Sequence, residues 1–274
     1  MIDLVQEMIS GRRMTIGMVH TLPLPGSYDD RFSMQEIVDR AVADAQVLER
    51  TGFDALVVEN QNDGPLTDDA MDAQRIAALT YVCSRVMDSV SIPVGIDACG
   101  DQIAAIAIAS IVGASFVRLS YMVDVRVSAR GIVLPNGARA AMYRKRIGAD
   151  DVKIFADIQV KHSFPLVREI TLEDSARWAV SSRADALIVT GAQTGVSAQI
   201  SDFVRVRTAV SIPVVAGSGV TVKNLADHYE ACDGCIVGSA LKKDGNLMNP
   251  VDEMKARDFM LAVSDWKKLS GETR

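Results

Sequence analysis

The amino-acid sequence predicts one α/β domain over residues 1–274, folded as a single (β/α)8 barrel with a long insertion after the fourth strand. The pentapeptide Val-Ser-Ile-Pro-Val occurs at Val90–Val94 and again at Val210–Val214. Each copy follows a related apolar hexapeptide, at Phe53–Val58 and at Ala184–Val189. Short β-branched runs alternate with helical periodicities, as in parallel strands joined by crossover helices. Repeated units half a chain apart favour a closed ring, in which strands two and three correspond to strands six and seven.

Eight strands are expected, each at a short apolar run bounded by turn residues. They begin near Met14, Asp54, Pro93, Ser115, Val152, Ala186, Pro213 and Cys235, and residues 1–12 form a lead-in. The alternative is a doubly wound open sheet. Such a sheet needs a glycine-rich dinucleotide loop after the first strand, whereas His20–Ser27 has no such pattern.

The helix after the first strand has the clearest signals. Apolar residues recur at i, i+3, i+4 and i+7 from Met34 to Leu48. Ser33 and Glu36 have capping-box spacing, which predicts the helix start. Gly52 supplies the left-handed residue that commonly ends a helix.

Two later helix starts can also be assigned. Thr171 and Asp174 have the same capping spacing and predict a helix after the fifth strand. Asn249-Pro250 predicts that the last helix begins at Pro250, because proline suits the first helical position.

A long stretch, residues 120–150, follows the fourth strand. It is irregular at first and then predicts a helix that contains Arg139, Tyr143, Arg144 and Arg146. Long loops in a compact domain are usually lids or binding loops, so one interpretation is functional. The alternative is a decoration on the outside of the barrel or an oligomer contact.

Composition excludes several classes of protein. The formal charge is −6 and no basic block is present, which argues against nucleic-acid binding. No apolar run approaches the ~20 residues of a membrane span, and Met1–Glu7 lacks the features of a signal peptide. Four cysteines are too few for a disulfide framework, so a cytoplasmic location is expected. The Cys232–Cys235 pair leads into a strand and is interpreted as structural.

Polar residues mark the ends of the predicted barrel strands, where the active site of such a barrel lies. The candidate catalytic residues are His20, Glu59, Asp97, Arg118, Asp157 and Lys161. Strand alternation would place Asp157, Gln159 and Lys161 on one face. Buried charges must be paired, so these groups face one another, a substrate or a metal. An ion-pair network without chemistry is the alternative.

Glycine-rich turns follow the sixth, seventh and eighth strands. In this fold the loops after strands seven and eight commonly bind phosphate, and glycine lets an anion approach the backbone N–H groups. Tight turns without a ligand are the alternative. The candidate phosphate-binding residues are Gly191, Thr194, Gly217, Ser218, Gly219, Gly238 and Ser239.

Several segments resemble the BtpA/SgcQ family over nearly the whole chain. They are Gly17–His20 with Leu22–Gly26, Val58–Asn60, Ala156–His162, Leu187–Gly191, and Val237–Lys242 running on to Asp252. The resemblance implies a TIM-type barrel. The family takes its name from a factor needed to accumulate photosystem I, and other members resemble products of bacterial sugar-uptake gene clusters. This chain departs from the family at Ala129-Arg130-Gly131, where a pattern near Asp-Gln-Gly is expected.

Three functions remain open from the sequence. The favoured one is an enzyme that binds a small phosphorylated metabolite such as a sugar phosphate, with proton transfer of the isomerase or aldolase type. The alternative is a non-catalytic assembly or biogenesis factor that uses the barrel as a scaffold. The third is a metal-dependent hydrolase with ligands from His20, Glu59, Asp97 and Asp157. No cofactor is identified, a divalent metal is left open, and a homo-oligomer is expected.

Overall fold

A computed structural model describes residues 2–67 and 70–272 of the chain. The described residues form eleven strands, numbered in chain order. They are β1 (Met14–His20), β2 (Ala55–Glu59), β3 (Val94–Asp97), β4 (Phe116–Leu119), β5 (Arg126–Ser128), β6 (Gly131–Val133), β7 (Lys153–Ile158), β8 (Ser163–Pro165), β9 (Ala186–Val189), β10 (Val214–Ala216) and β11 (Gly234–Val237). Eight of them run parallel and close into a barrel, in the order β1-β11-β10-β9-β7-β4-β3-β2. The (β/α)8 prediction is confirmed, and each barrel strand begins at the predicted residue or its immediate neighbour.

Nine α-helices accompany these strands in the described residues. They are α1 (Leu4–Ile9), α2 (Met34–Thr51), α3 (Ala73–Met87), α4 (Gln102–Val112), α5 (Gly137–Arg146), α6 (Leu172–Ser181), α7 (Ile200–Ala209), α8 (Leu225–Ala231) and α9 (Glu253–Ser270). Helices α2 to α9 each follow one barrel strand, as crossover connections require. Helix α1 precedes β1 and packs Leu4 and Met8 against the apolar side chains inside the barrel. None of the helices in this part of the chain is long and apolar enough to cross a bilayer.

Apolar side chains fill the inside of the barrel below the polar rim. Met14 and Ile16 alternate along β1, and the rings of Phe116 and Phe155 lie 4.6 Å apart. Gly95 in β3 makes room for Phe116, because a Cβ at this glycine would lie 2.4 Å from the ring. The interior is therefore a packed core rather than a channel.

The helix starts follow the sequence signals with one exception. Ser33 with Glu36 and Thr171 with Asp174 both form complete capping boxes, and Gly52 ends α2 at φ 98°. The predicted start at Pro250 is wrong, because α9 begins at Glu253 with Asp252 as its N-cap. Val251 is held extended, since it bridges Lys242 and its N–H donates to Asp44 Oδ1 at 2.8 Å.

The insertion after the fourth strand is more ordered than the sequence indicates. Strands β5 and β6 form a hairpin, and β8 pairs with β5 to give a small antiparallel sheet in the order β6-β5-β8. Helix α5 then completes the fourth crossover. Within residues 120–150, only the β5–β6 hairpin is therefore additional to the repeating strand–helix units.

Candidate active site at the carboxyl end of the barrel

Ionisable side chains lie at the carboxyl ends of neighbouring strands, at one rim of the barrel. His20 is directly opposite Glu59 in the β1–β2 ladder, and Glu59 is directly opposite Asp97 in the β2–β3 ladder. Arg118 on β4 and Asp157 on β7 continue the row around the barrel. Because all eight strands are parallel, their carboxyl ends meet at this rim, as the sequence predicts.

Arg118 is the centre of the charged cluster. Its Nε lies 2.9 Å from Asp157 Oδ2 and its Nη2 lies 3.1 Å from Asp157 Oδ1, a forked pair with both side chains buried. The same Nε is 3.8 Å from Asp97 Oδ2. Burial opposes the charged guanidinium, but Asp157 and Asp97 outweigh it and raise the pKa of Arg118. Arg118 is therefore a fixed cation, and Asp157 lies behind it rather than in the cavity lining.

His20 and Glu59 form a second buried pair, with Nε2 3.2 Å from Oε2. Burial lowers the pKa of His20. Burial alone would raise the pKa of Glu59, but the contact with His20 and the charge of Arg118 outweigh it and hold that pKa below its ordinary value. The pair is thus a neutral imidazole that donates from Nε2 to a carboxylate. His20 Nδ1 is then an acceptor, and it is buried without a partner in the described part of the chain.

Asp97 is the acidic partner of Glu59. Burial, followed by the negative charge of Glu59, raises the pKa of Asp97 well above its ordinary value. Two neighbouring carboxyl groups with opposite pKa shifts separate into one base and one acid. Glu59 is therefore the member that favours the ionised form, and Asp97 the one that holds a proton more readily.

Cys99 belongs to this cluster, although sequence reasoning missed it. Its Sγ lies 3.8 Å from Glu59 Oε1 and 3.6 Å from Gln61 Oε1. Burial, then the charge of Glu59, raises the pKa of the thiol. Strand alternation could not have placed it, because β3 ends at Asp97 and Cys99 adopts φ 22°.

Lys161 lines the same cavity as Glu59 and Arg118. Its backbone N–H donates to Thr190 Oγ1 at 2.9 Å, which fixes the turn after β7 against the end of β9. Burial, then the charge of Arg118, lowers the pKa of its ammonium. A lysine of this kind supplies neutral amine closer to neutral pH than an exposed lysine does.

The expected alignment of Asp157, Gln159 and Lys161 is wrong. Strand β7 ends at Ile158, and Gln159 adopts φ 46°. Its amide donates to Ser175 Oγ at 3.2 Å, towards α6 and away from the cavity. Lys161 reaches the site through this irregular turn and not through strand alternation.

Glycine-rich loops form the other wall of the cavity, as predicted. The lining includes Thr194, Gly195, Gly217, Ser218, Gly219, Gly238 and Ser239. The backbone N–H groups of Ser218, Gly219 and Ser239 make no hydrogen bond to protein within residues 2–67 and 70–272. Unpaired N–H groups beside glycines are suited to an anion.

The loops after β9 and β10 hold each other in place. Ser218 Oγ donates to Val196 O at 3.0 Å and accepts from Gly191 N–H at 3.3 Å. A Cβ at Gly219 would lie 2.1 Å from Ser197 N, so only glycine permits this packing. The N–H of Gly191 is used inside the protein, and Gly191 lies outside the lining, unlike the other six phosphate candidates.

One possible cation cluster occurs among the described residues. Ligand atoms of Glu59, Asp97 and Cys99 all lie within 4.8 Å of one another. His20 and Asp157, the other ligands of the hydrolase hypothesis, are not members of it. Arg118, 3.8 Å from Asp97, already supplies positive charge to these carboxyl groups. The donor set fits a protonated acid beside a carboxylate better than the four-ligand centre expected from the sequence.

A sequence model of the BtpA family matches residues 12–265. The chain belongs to the BtpA family. It is 35% identical over 251 residues to an uncharacterized protein of Methanocaldococcus jannaschii, covering 91% of this chain and 94% of that one. It is 32% identical over 255 residues to the photosystem I biogenesis protein BtpA of Synechocystis, covering 92% and 88%.

Solved structures of similar fold are barrel proteins of low sequence identity. (S)-3-O-geranylgeranylglyceryl phosphate synthase from Thermoplasma acidophilum, in complex with sn-glycerol-1-phosphate, matches with TM-score 0.62 and 13% identity, covering 97% of this chain and all of that one (100%). Thiamine phosphate pyrophosphorylase from Pyrococcus furiosus matches with TM-score 0.59 and 13% identity, covering 93% and 96%. Likeness at this identity shows the fold alone.

In this member of the BtpA family the insertion closes one side of the rim through Arg130. Its Nη1 donates to Cys99 O at 3.2 Å, and its guanidinium carbon lies 5.8 Å from the centre of the Tyr121 ring. A Cβ at Gly100 would lie 2.2 Å from Nη1. Arg130 thus pins the hairpin to the loop that carries Cys99.

Proposed function

We propose that this BtpA-family chain is an enzyme that binds a small phosphorylated metabolite and moves a proton on its carbon skeleton, as isomerases and aldolase-type lyases do. One observation carries the proposal. A single cavity has unpaired backbone N–H groups and glycines on one wall, and Glu59, Arg118 and Lys161 on the other. The cavity is narrow, with about 30 Å³ open to water-sized molecules, so a bound metabolite would displace side chains of the lining.

The glycine wall is the proposed phosphate site. A dianion there would accept hydrogen bonds from the N–H groups of Ser218, Gly219 and Ser239, at little entropic cost because the loops are already packed. Thr194 Oγ1, held 2.8 Å from His162 Nε2, lies at the mouth of the same wall. The fold neighbours support this assignment, since their names include phosphorylated compounds.

The charged wall is the proposed chemical site. Glu59 lines the cavity and is a candidate general base, while Asp97 and Cys99 lie outside the lining and would exchange protons with a substrate through Glu59. Arg118, fixed by Asp157, would stabilise negative charge that develops on a carbonyl oxygen when a neighbouring carbon loses a proton. Asp157 is accordingly a positioning residue for Arg118.

Substitution of Ser239 tests the phosphate site. Ser239→Asp places a carboxylate beside the free N–H groups, and repulsion of like charges should weaken binding of glycerol 3-phosphate by about 100-fold. Ser239→Ala is the matched control and should bind within a few-fold of the unsubstituted chain. Isothermal titration provides the affinities. Equal binding by all three proteins, or no binding of any sugar or glycerol phosphate, would contradict the proposal.

A second function is favoured by a separate observation on the insertion. Val127 lies directly opposite both Ile132 and Phe164 in the small sheet, so the three side chains share one face. They are 37%, 57% and 75% exposed. An apolar row of this kind is typical of an interaction surface, and the Synechocystis relative is named as a biogenesis protein.

In that case the barrel is a scaffold that docks through the small sheet. Polar substitution of Ile132 and Phe164 would then abolish cellular function, while Lys161→Met would preserve it. The opposite pattern, loss with Lys161→Met alone, supports the enzyme. The expected homo-oligomer would use the same apolar row.

A further inference from the structure

Lys161 is half-buried and, unlike the buried cations Arg118 and Lys242, has no partner of opposite charge among the described residues. Arg118 has a forked pair with Asp157, and Lys242 Nζ lies 2.6 Å from Asp44 Oδ2. Lys161 Nζ has no hydrogen bond or ion pair in the portion of the chain that the structure describes, although it lies in the cavity. Structural lysines below the surface are paired, so an unpaired one in a cavity is available to a ligand.

The surroundings of Lys161 fit one kind of chemistry. Glu59, Asp97 and Asp157 are near enough to act on its charge, but none lies within 4.0 Å of it. Burial and the positive charge of Arg118 both lower the pKa of the Lys161 ammonium. The amine is therefore held as a nucleophile rather than neutralised as half of an ion pair.

We propose that Lys161 forms an iminium with the substrate, which is therefore an aldehyde or ketone that carries a phosphate. This inference rests on the proposed enzymatic function and specifies its substrate class and its covalent residue. The phosphate lies on the glycine wall and the carbonyl carbon at Lys161 Nζ. Both groups belong to one small molecule because both walls belong to one cavity.

The steps balance without an oxidant or reductant. The neutral Nζ adds to the carbonyl carbon, the nitrogen loses one proton and the oxygen gains one, and a carbinolamine forms. A second proton, passed from Asp97 through Glu59, releases the oxygen as water and leaves the C=N⁺ bond. Glu59 then accepts a proton from the adjacent carbon, and the C=N⁺ group takes up the electron pair to give an enamine. Return of a proton from Glu59 to carbon re-forms the C=N⁺ bond, and addition of water then regenerates the amine and the carbonyl and restores the proton of Asp97.

Reductive trapping tests the inference on the full-length chain. The protein is incubated with dihydroxyacetone phosphate or glyceraldehyde 3-phosphate, with and without sodium borohydride, and is then mapped by peptide mass spectrometry. Lys161 should carry a borohydride-dependent adduct, and excess inorganic phosphate should suppress it. Exposed Lys145 is the internal control, and its labelling should be independent of phosphate. Lys161→Arg should lose the adduct while its melting temperature remains close to that of the unsubstituted chain.

Binding of glycerol 3-phosphate, which has no carbonyl group, separates this inference from the function on which it rests. If glycerol 3-phosphate binds and Ser239→Asp prevents it, but neither carbonyl phosphate labels Lys161, the iminium is refuted and the phosphate site stands. If Lys161 is labelled no more than Lys145, or equally in the presence of phosphate, the iminium is also refuted. Absence of binding by every phosphate refutes both.

Discussion

The buried pair of Lys242 and Asp44 anchors the proposed phosphate loop, and its removal has a calculable effect. Lys242 is 0% exposed and Asp44 2%, with Nζ 2.6 Å from Oδ2. The other carboxylate oxygen accepts the N–H of Val251 at 2.8 Å. Lys242 directly follows the 3-10 turn Ser239–Leu241, so the pair joins that turn to α2. Asp44→Asn leaves a buried cation without its counter-charge.

Breaking a buried ion pair by removing one partner destabilises a protein by about 3–5 kcal/mol. At about 2–4 °C per kcal/mol for a domain near this size, the melting temperature should fall by roughly 10 °C. Calorimetry and urea titration measure both quantities. Asp44→Asn with Lys242→Met is the matched control, because it leaves no unpaired buried charge and the asparagine oxygen can still accept the N–H of Val251. A loss below about 1 kcal/mol for Asp44→Asn, or a double variant as unstable as the single one, would refute the reasoning.

Three other predictions follow from the rim and the insertion. The pKa of Asp97 is higher in the folded chain than in the unfolded chain, so Asp97 binds its proton more tightly when the chain is folded. The free energy of unfolding that this proton contributes is lost as pH rises from the ordinary carboxyl range through the raised pKa. Asp97→Asn should therefore flatten the decline of melting temperature with pH, and parallel curves for the two proteins would contradict the assignment. Ile132→Lys with Phe164→Ser should shift the chain towards monomer in light scattering, whereas Ile111→Lys on α4 should not, and the same mass for all three would exclude this surface. Because its pKa is raised, Cys99 should react slowly with iodoacetamide at pH 8, and rapid labelling mapped to Cys99 would show an ionised thiol instead.

The sequence predicts the barrel and the polar rim for one physical reason. The carboxyl ends of parallel strands lie at the same edge of the sheet. Because the apolar runs of the first three strands each end in a polar residue, His20, Glu59 and Asp97 come together there. The ladders place these three directly opposite one another. Glycines after β10 and β11 are predictable in the same way, because their place in the ring is fixed by the strand count.

The rest of the site depends on backbone turns that periodicity does not encode. Seven non-glycine residues of the described chain have positive φ, and five of them follow the carboxyl ends of β3, β4 and β7: Cys99, Tyr121, Asp124, Gln159 and His162. Each breaks strand alternation, which is why Gln159 leaves the predicted face and Lys161 enters the cavity by another route. Positions of this kind are common at functional sites. Tertiary hydrogen bonds are equally invisible to periodicity: one to Ser218 occupies the N–H of Gly191, and one from Val251 to Asp44 keeps α9 from beginning at Pro250.

A crystal structure of the protein with dihydroxyacetone phosphate tests the central claim most directly. The account predicts the phosphate group within hydrogen-bonding distance of the N–H groups of Ser218, Gly219 and Ser239, and the carbonyl carbon beside Lys161 Nζ. Phosphate bound elsewhere, or a ligand whose carbonyl points away from Lys161, Glu59 and Arg118, would contradict it.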